Sequence, residues 1–138
     1  MTTSDKVRTS ADIRYHFLWY TRLKADILSK DIKTKLKSVL SDICEDNGLI
    51  ILGGATRKNH VHIILSCPPS IAPSKIAQLL KGGSARSLKQ TFPNLNNAPY
   101  DESIWERGYF CLSFGDGDEE MKINKYIEDA KNEIEFRV

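Results

Sequence analysis

The chemistry that this sequence could perform begins with two of its three histidines, His60 and His62, which one residue separates in NHVHIILSC. Side chains alternate along a β-strand, so the two imidazoles would share one face while Val61, Ile63 and Leu65 face the other. Neighbouring imidazoles can both reach one metal ion at about 2.1 Å. The spacing alone fits a pair of surface histidines equally well, because a catalytic metal usually has three protein ligands.

A second candidate, Tyr126, lies far downstream in NKYIEDA. The helix predicted there carries an apolar stripe of four residues: Ile123, Ile127, Ala130 and Ile134. On the helical period Tyr126 lies beside this stripe, and Asp129 lies on its other flank. A tyrosine in such a position usually packs its ring and exposes its hydroxyl, so the position alone does not indicate catalysis.

Four segments rich in β-branched and aromatic residues predict the strands that would position these side chains. They are IRYHFLWYT (13–21), LIILGGAT (49–56), HVHIILSC (60–67) and GYFCLSFG (108–115). The short basic RKN between the second and third segments predicts a hairpin.

Apolar residues at steps of three and four predict three amphipathic helices. The first ends at Gly48, a residue suited to a left-handed helix end. The second begins near Pro73, and Gly82 and Gly83 mark a candidate kink within it. The third covers 118–134, and the glycines of the preceding FGDGD predict that this helix is mobile.

The predicted order, β-α-β-β-α-β-α, places the chain in the α+β class. Its first six elements match the ferredoxin-like, split-βαβ plan, in which a four-stranded antiparallel sheet carries two helices on one face. The tyrosine-bearing helix follows at the C-terminus. A length of 138 residues predicts a single domain over 1–138, with a polar N-terminal arm at 1–12.

The composition predicts a cellular compartment but does not identify a binding partner. The net charge of +2 is too small to predict nucleic-acid binding by itself. Cys44, Cys67 and Cys111 have no zinc or redox spacing, which predicts reduced thiols in the cytoplasm. No apolar run is long enough to span a membrane, and MTTSDKVRTS has no signal-peptide pattern.

Four stretches occur together in one order: NHVHIIL, QLLKGGSARSL, IWERGYF and EEMKINKYIEDA. Together they resemble the HUH single-tyrosine transposases of bacterial and archaeal insertion sequences, including the REP-associated tyrosine transposases, from about Tyr15 to Ala130. The resemblance implies a transposase that cleaves and rejoins single-stranded DNA at insertion-sequence ends through a 5′-phosphotyrosine intermediate. It also implies hairpin DNA ends as the partner, and a homodimer whose subunits share their active sites.

Residue by residue, the resemblance implies that Tyr126 is the nucleophile and that His60 and His62 hold a divalent metal. Relatives usually carry a third ligand, glutamine, where this sequence has Ala130. Asp129 is the favoured replacement for that ligand and Glu133 is the alternative, although both carboxylates could simply be solvated. Imidazole and carboxylate ligands suit Mg²⁺ or Mn²⁺, and the nitrogen ligands favour Mn²⁺.

Seven residues are candidates for contact with DNA. They lie after the first strand, on the hairpin and on the second helix: Arg22, Lys24, Arg57, Lys58, Lys81, Ser84 and Arg86. Taken singly, each basic residue is more typical of a solvated surface charge than of a DNA contact. Trp19, Trp105 and Tyr109 are candidates for stacking on bases, with core packing as the alternative, and His16 is predicted to be structural.

Two other functions remain open from the sequence. Ala130 favours a catalytically weakened protein that binds single-stranded DNA hairpins without cutting them. The fold alone is also compatible with a ferredoxin-like dimer that binds a metal or small ligand and does not touch DNA.

Overall fold

The computed structural model describes residues 12–114. The predicted arm up to residue 11 and the predicted helix over 118–134, with Tyr126 and Asp129, lie outside the described residues. Six main elements follow one another: β1 (Ile13–Tyr20), α1 (Lys30–Asp46), β2 (Ile50–Thr56), β3 (His60–Cys67), α2 (Pro73–Thr91) and β4 (Phe110–Phe114). Their order confirms the first six predicted elements.

The four strands form one sheet in the order β2-β3-β1-β4, and each neighbouring pair is antiparallel. This is the strand order of the ferredoxin-like plan, so the predicted fold class is confirmed. The histidine-bearing strand β3 and the first strand β1 occupy the centre of the sheet, where pairing on both sides holds the backbone in place. Within residues 12–114 we find no helix with the length and hydropathy needed to span a bilayer.

The core lies between the two helices and one face of the sheet. Val61, Ile63 and Leu65 of β3 are at most 1% exposed and pack with the buried leucines of α1 and α2. The even-numbered residues of β3 must face the opposite side, which confirms that His60 and His62 share the face away from the helices.

Helix α1 begins and ends where its local chemistry favours a boundary. The hydroxyl of Ser29 accepts a hydrogen bond from the backbone N–H of Ile32 at 3.4 Å, and Asp31 places negative charge at the positive end of the helix. At the other end, Gly48 has a φ of 70°, the left-handed conformation that glycine adopts without steric cost. The predicted stop is therefore confirmed.

Helix α2 begins at Pro73 as predicted and is continuous through Gly82 and Gly83. The two glycines therefore do not interrupt the helix. A Cβ atom at Gly83 would lie 2.7 Å from Cδ1 of Ile43, whereas one at Gly82 would meet no atom within 4 Å. Gly83 thus allows α1 and α2 to approach each other closely, and this packing requirement explains a glycine within a helix.

Candidate active site

The two histidines stand side by side on the open face of the sheet. Their ring centroids are 4.7 Å apart, with the ring planes nearly perpendicular at 81°. On the neighbouring strand, Tyr20 pairs with His60 and Leu18 pairs with His62. The ring of Tyr20 contacts that of His60 at a centroid distance of 5.3 Å. Rigid central strands therefore position both imidazoles.

Asn59 determines which nitrogen of His60 carries the proton. The side-chain nitrogen of Asn59 donates to the carbonyl of Lys24 at 3.3 Å, so its oxygen faces Nδ1 of His60, at 2.7 Å. An amide oxygen only accepts hydrogen bonds, so this network assigns the proton to Nδ1 of His60. The lone pair then lies on Nε2, as metal coordination requires.

The turn after β1 supplies the carbonyl that orients Asn59. Leu23 and Lys24 adopt left-handed φ values of 58° and 53° there. Such values are uncommon outside glycine and cost on the order of 1 kcal/mol or more per residue, and they are often found at functional sites. The same turn places Nζ of Lys24 5.0 Å from the centre of the Tyr20 ring. A predicted DNA-contacting lysine therefore lies next to the histidine pair.

His62 contacts a third histidine, His16, which was predicted from the sequence to be structural. Nε2 of His16 lies 3.3 Å from Nδ1 of His62, and the ring centroids are 5.5 Å apart. Alternation along β1 puts His16 on the same face as Leu18 and Tyr20. The sequence contained this signal, but only the register between β1 and β3 brings the two histidines together.

Burial keeps these histidines neutral. It lowers the pKa of His62 to about 3, assisted by the positive charges that His60, His16 and Arg57 would carry. Burial also lowers the pKa of His16. A metal ligand must be a neutral imidazole, so the protonation state of His62 at neutral pH suits coordination.

The described residues provide part of a metal site. His60 and His62 hold two imidazoles in ring contact, and burial keeps that of His62 neutral, which fits two positions of a divalent ion. Within residues 12–114, no group of three or more His, Cys, Asp or Glu side chains is arranged to hold a metal. A complete site thus needs a ligand from another part of the chain, from a partner or from water.

The hairpin residues Arg57 and Lys58 lie close to the histidine pair. The backbone N–H of Arg57 donates to the carbonyl of His60 at 2.9 Å and closes the hairpin. Arg57 is half-buried and Lys58 is exposed. Arg22, in the turn after β1, has its guanidinium 3.8 Å from the carboxylate of Glu102. The predicted DNA contacts of these residues stay predictions.

Lys81 and Ser84 of α2 bond to the protein itself. The ammonium of Lys81 donates to the carbonyls of Glu106 at 2.8 Å and Gly108 at 2.6 Å. The buried hydroxyl of Ser84 donates to the carbonyl of Lys81 and accepts from Nε1 of Trp105, both at 3.1 Å. These bonds attach residues 105–108 to α2, which favours structural roles. Arg86 of the same predicted set is exposed.

A cavity of about 440 Å³ lies between the end of β1 and the segment leading into β4. Leu18, Tyr20, Arg107, Tyr109 and Phe110 contribute to its lining. Tyr20 also contacts His60, so the cavity adjoins the histidine pair. Tyr109 and Phe110 are 40% and 57% exposed.

The other two candidates for stacking on bases, Trp19 and Trp105, are buried. They pack edge to face with ring centroids 5.8 Å apart. Core packing therefore accounts for the two tryptophans. Of the three aromatic candidates, Tyr109 is the one that remains accessible to a base.

With this geometry in place, comparison with known proteins identifies the family. Residues 9–130 match the sequence model described as "Transposase IS200 like". The chain belongs to the IS200-like transposase family. The match extends through Tyr126, beyond the described residues.

Curated relatives of this IS200-like transposase agree with the assignment. The chain is 30% identical over 116 residues to ISDra2 transposase TnpA of Deinococcus radiodurans, covering 84% of this chain and 82% of the relative. It is 26% identical over 120 residues to the transposase for insertion sequence element IS200 of Salmonella typhimurium, covering 87% and 78%. The protein is therefore a transposase, a class of enzymes that cleave DNA.

Solved structures share its fold. A crystal structure of a candidate transposase from Deinococcus radiodurans superposes with a TM-score of 0.72 at 27% identity, covering 88% of this chain and 92% of the other. A REP-associated tyrosine transposase bound to a REP hairpin superposes with a TM-score of 0.64 at 13% identity, covering 91% and 71%. At that low identity the second match supports the fold alone.

Proposed function

We propose that this IS200-like transposase cleaves and rejoins single-stranded DNA at insertion-sequence ends through a 5′-phosphotyrosine on Tyr126, assisted by a divalent metal. The observation that carries the proposal is the pair of adjoining histidines on the sheet face away from the helices, where burial lowers the pKa of His62 and keeps its imidazole neutral. In a family of DNA-cleaving enzymes, such a pair is suited to holding a cation beside a phosphate.

His60 and His62 would hold the metal, Mg²⁺ or Mn²⁺, with Asp129 as the proposed third ligand. When bound, such an ion supplies charge withdrawal from the scissile phosphate and orientation of the leaving 3′-hydroxyl. The protein prepares for this by keeping His62 neutral and by fixing the proton of His60 on Nδ1 through Asn59.

Tyr126 would form the covalent bond. Its oxygen attacks the phosphorus, loses its proton, forms a 5′-phosphotyrosine and releases a DNA strand with a 3′-hydroxyl. The phosphodiester bond energy is kept in the phosphotyrosine, so attack by a 3′-hydroxyl joins two strands and releases Tyr126. No nucleotide cofactor is required, which agrees with the absence of a G-x-x-x-x-G-K-[ST] segment from the sequence.

Several side chains around the histidines suit a single strand of DNA. Lys24, Arg57 and Lys58 provide positive charge for phosphates beside the metal ligands. The adjoining cavity exposes Tyr109 and Phe110, on which an unpaired base could stack. We propose hairpin DNA ends as the substrate, as the resemblance of this sequence to the HUH single-tyrosine transposases implies.

A homodimer with shared active sites is part of the proposal. Within residues 12–114 no three His, Cys, Asp or Glu side chains are arranged to hold a metal, so a second copy could supply a missing ligand. The edge strand β4 also exposes Phe110 and Leu112, at 57% and 50%, as apolar surface that an assembly could cover. Light scattering of the purified protein tests this directly, and a monomer would remove this part of the proposal.

The decisive experiment incubates the protein with Mn²⁺ and a fluorescent oligonucleotide that carries the hairpin end of the element. We expect a covalent adduct that resists denaturant and is absent from Tyr126→Phe and from samples with chelator. His60→Ala should lose the adduct as well. Adduct formation that is unchanged in Tyr126→Phe would refute the assignment of the nucleophile.

Ala130 supports a second candidate function, a protein that binds hairpins without cutting them. In that case the unaltered protein binds hairpin DNA in a salt-dependent manner but forms no adduct. Ala130→Gln, which restores the ligand that relatives usually carry, would then strengthen Mn²⁺ binding and produce an adduct. If the unaltered protein already forms the adduct, the weakened-binder hypothesis is wrong. The third hypothesis, a dimer indifferent to DNA, has no support from the family assignment.

A further inference from the structure

His16 contacts His62 across two central strands of the sheet. Its Nε2 atom is 3.3 Å from Nδ1 of His62, and the ring planes are inclined by 28°. Only 9% of His16 is exposed. β1 and β3 pair along their whole lengths, so the backbone holds the two rings in a fixed relation.

Two neutral histidines joined in this way have two arrangements of protons. If His16 donates, Nδ1 of His62 accepts, and the proton of neutral His62 lies on Nε2, where it blocks coordination. If His62 donates from Nδ1, its Nε2 carries the lone pair that a metal ligand needs. Asn59 already imposes this second arrangement on His60.

His16 does not complete a metal site by itself. Among the side chains of residues 12–114, the three histidines included, no three are arranged to hold a metal. The contact with His62 gives His16 a route by which it can influence coordination.

We propose that His16 is a positioning residue: its Nε2 accepts a hydrogen bond from Nδ1–H of His62 and fixes the tautomer of His62 in which Nε2 binds the metal. This assignment rests on the metal site of the proposed function, but the contact itself belongs to the metal-free protein. His16 would do for His62 what Asn59 does for His60. Partners of this kind typically contribute about tenfold to a hundredfold in metal affinity.

The first test is the position of the ring protons in the metal-free protein. A long-range ¹H–¹⁵N correlation spectrum of ¹⁵N-labelled protein at neutral pH distinguishes Nδ1–H from Nε2–H histidines. We expect the protons of both His62 and His16 on Nδ1. A proton on Nε2 of His62 would overturn the proposal, whatever the protein does with DNA.

The second test compares two variants at the same position. His16→Gln places an oxygen near the position of Nε2 and keeps an acceptor, whereas His16→Leu removes it. We expect His16→Leu to weaken Mn²⁺ binding, measured by electron paramagnetic resonance, about tenfold to a hundredfold, and His16→Gln to stay within about threefold of the unaltered protein. Equal affinities in all three proteins, or equal losses in both variants, would overturn the positioning role.

The two tests also separate this inference from the proposed function. If the unaltered protein does not bind Mn²⁺, the proposed metal-assisted chemistry is wrong, while the proton positions still decide whether His16 orients His62. Thermal unfolding of both variants checks that His16→Leu is folded before its Mn²⁺ affinity is interpreted, and His16→Gln carries the test if it is not.

Discussion

Lys81 allows a sharp distinction between a DNA-binding role and a structural one. Its ammonium donates to the carbonyls of Glu106 and Gly108 at 2.8 and 2.6 Å, and burial lowers its pKa, which the nearby carboxylate of Glu106 partly offsets. Lys81→Met keeps most of the apolar stem and removes the charge and both hydrogen bonds. The substitution therefore tests what the ammonium contributes to holding residues 106–108.

The magnitude follows from these two bonds. Hydrogen bonds to charged groups contribute about 1.5–3 kcal/mol each to stability. Removing the half-buried ammonium also removes the cost of its partial desolvation, which offsets part of the lost hydrogen-bond energy. We expect Lys81→Met to lower the free energy of unfolding by about 2–3 kcal/mol. With a denaturant slope of about 1–3 kcal/mol per molar, the urea midpoint should fall by about 0.7–3 M.

Arg86→Met is the matched control, because Arg86 is exposed on the same helix and belongs to the same predicted set of DNA contacts. It should leave the urea midpoint nearly unchanged. Hydrogen exchange should accelerate at residues 106–110 in Lys81→Met only, and this segment lines the cavity beside the histidines. If both variants unfold at the same urea concentration and differ only in DNA binding, the structural interpretation of Lys81 is wrong.

Three further predictions follow from packing, burial and exposed aromatic surface. Gly82→Ala should raise the free energy of unfolding by about 1 kcal/mol. The increase for Gly83→Ala should be smaller by about 1 kcal/mol, because Cδ1 of Ile43 must move to make room for the new Cβ atom. Equal increases in the two variants, measured by urea unfolding, would contradict the close contact between the helices. The lowered pKa of His62 means that the unfolded chain binds a proton between pH 6.5 and about 3 while the folded chain does not, so stability is complete above pH 6.5 and falls on acidification. The metal-free protein should lose up to about 1.4 kcal/mol per pH unit from this source, as measured by urea unfolding at pH 7 and 5, and His62→Gln should have a shallower dependence. Tyr109→Ala should weaken binding of a single-stranded oligonucleotide by about 1–3 kcal/mol in fluorescence anisotropy, whereas unchanged affinity would exclude stacking on this ring.

Much of the fold could be predicted because its signals are local. Alternation along β3 placed His60 and His62 on one face, and the helical period located α1 and its end at Gly48. Both patterns depend on neighbours a few residues away, so the sequence contains them directly. The predicted interruption of α2 at Gly82 and Gly83 was wrong. Glycine lowers helix propensity locally, but it also permits close packing between helices, and Gly83 serves that packing.

The roles of individual site residues were less predictable. Ser84 and Lys81 were candidates for contact with DNA, and in the structure they bond to residues 105–108, which lie about two dozen residues downstream. Asn59 belongs to no recognisable sequence pattern. It nevertheless assigns the proton of His60, because its amide nitrogen donates to the carbonyl of Lys24 and its oxygen therefore faces Nδ1 of His60. Such contacts depend on how segments distant in sequence pack.

Local patterns in the amino-acid sequence were enough to predict the order of strands and helices and the shared face of His60 and His62, and the family assignment confirmed the resemblance. Only the tertiary structure placed His16 against His62, because that contact joins residues 46 positions apart through the register of two strands. Alternation determines the face to which a side chain points. Strand pairing determines its neighbour, and pairing is a property of the whole sheet.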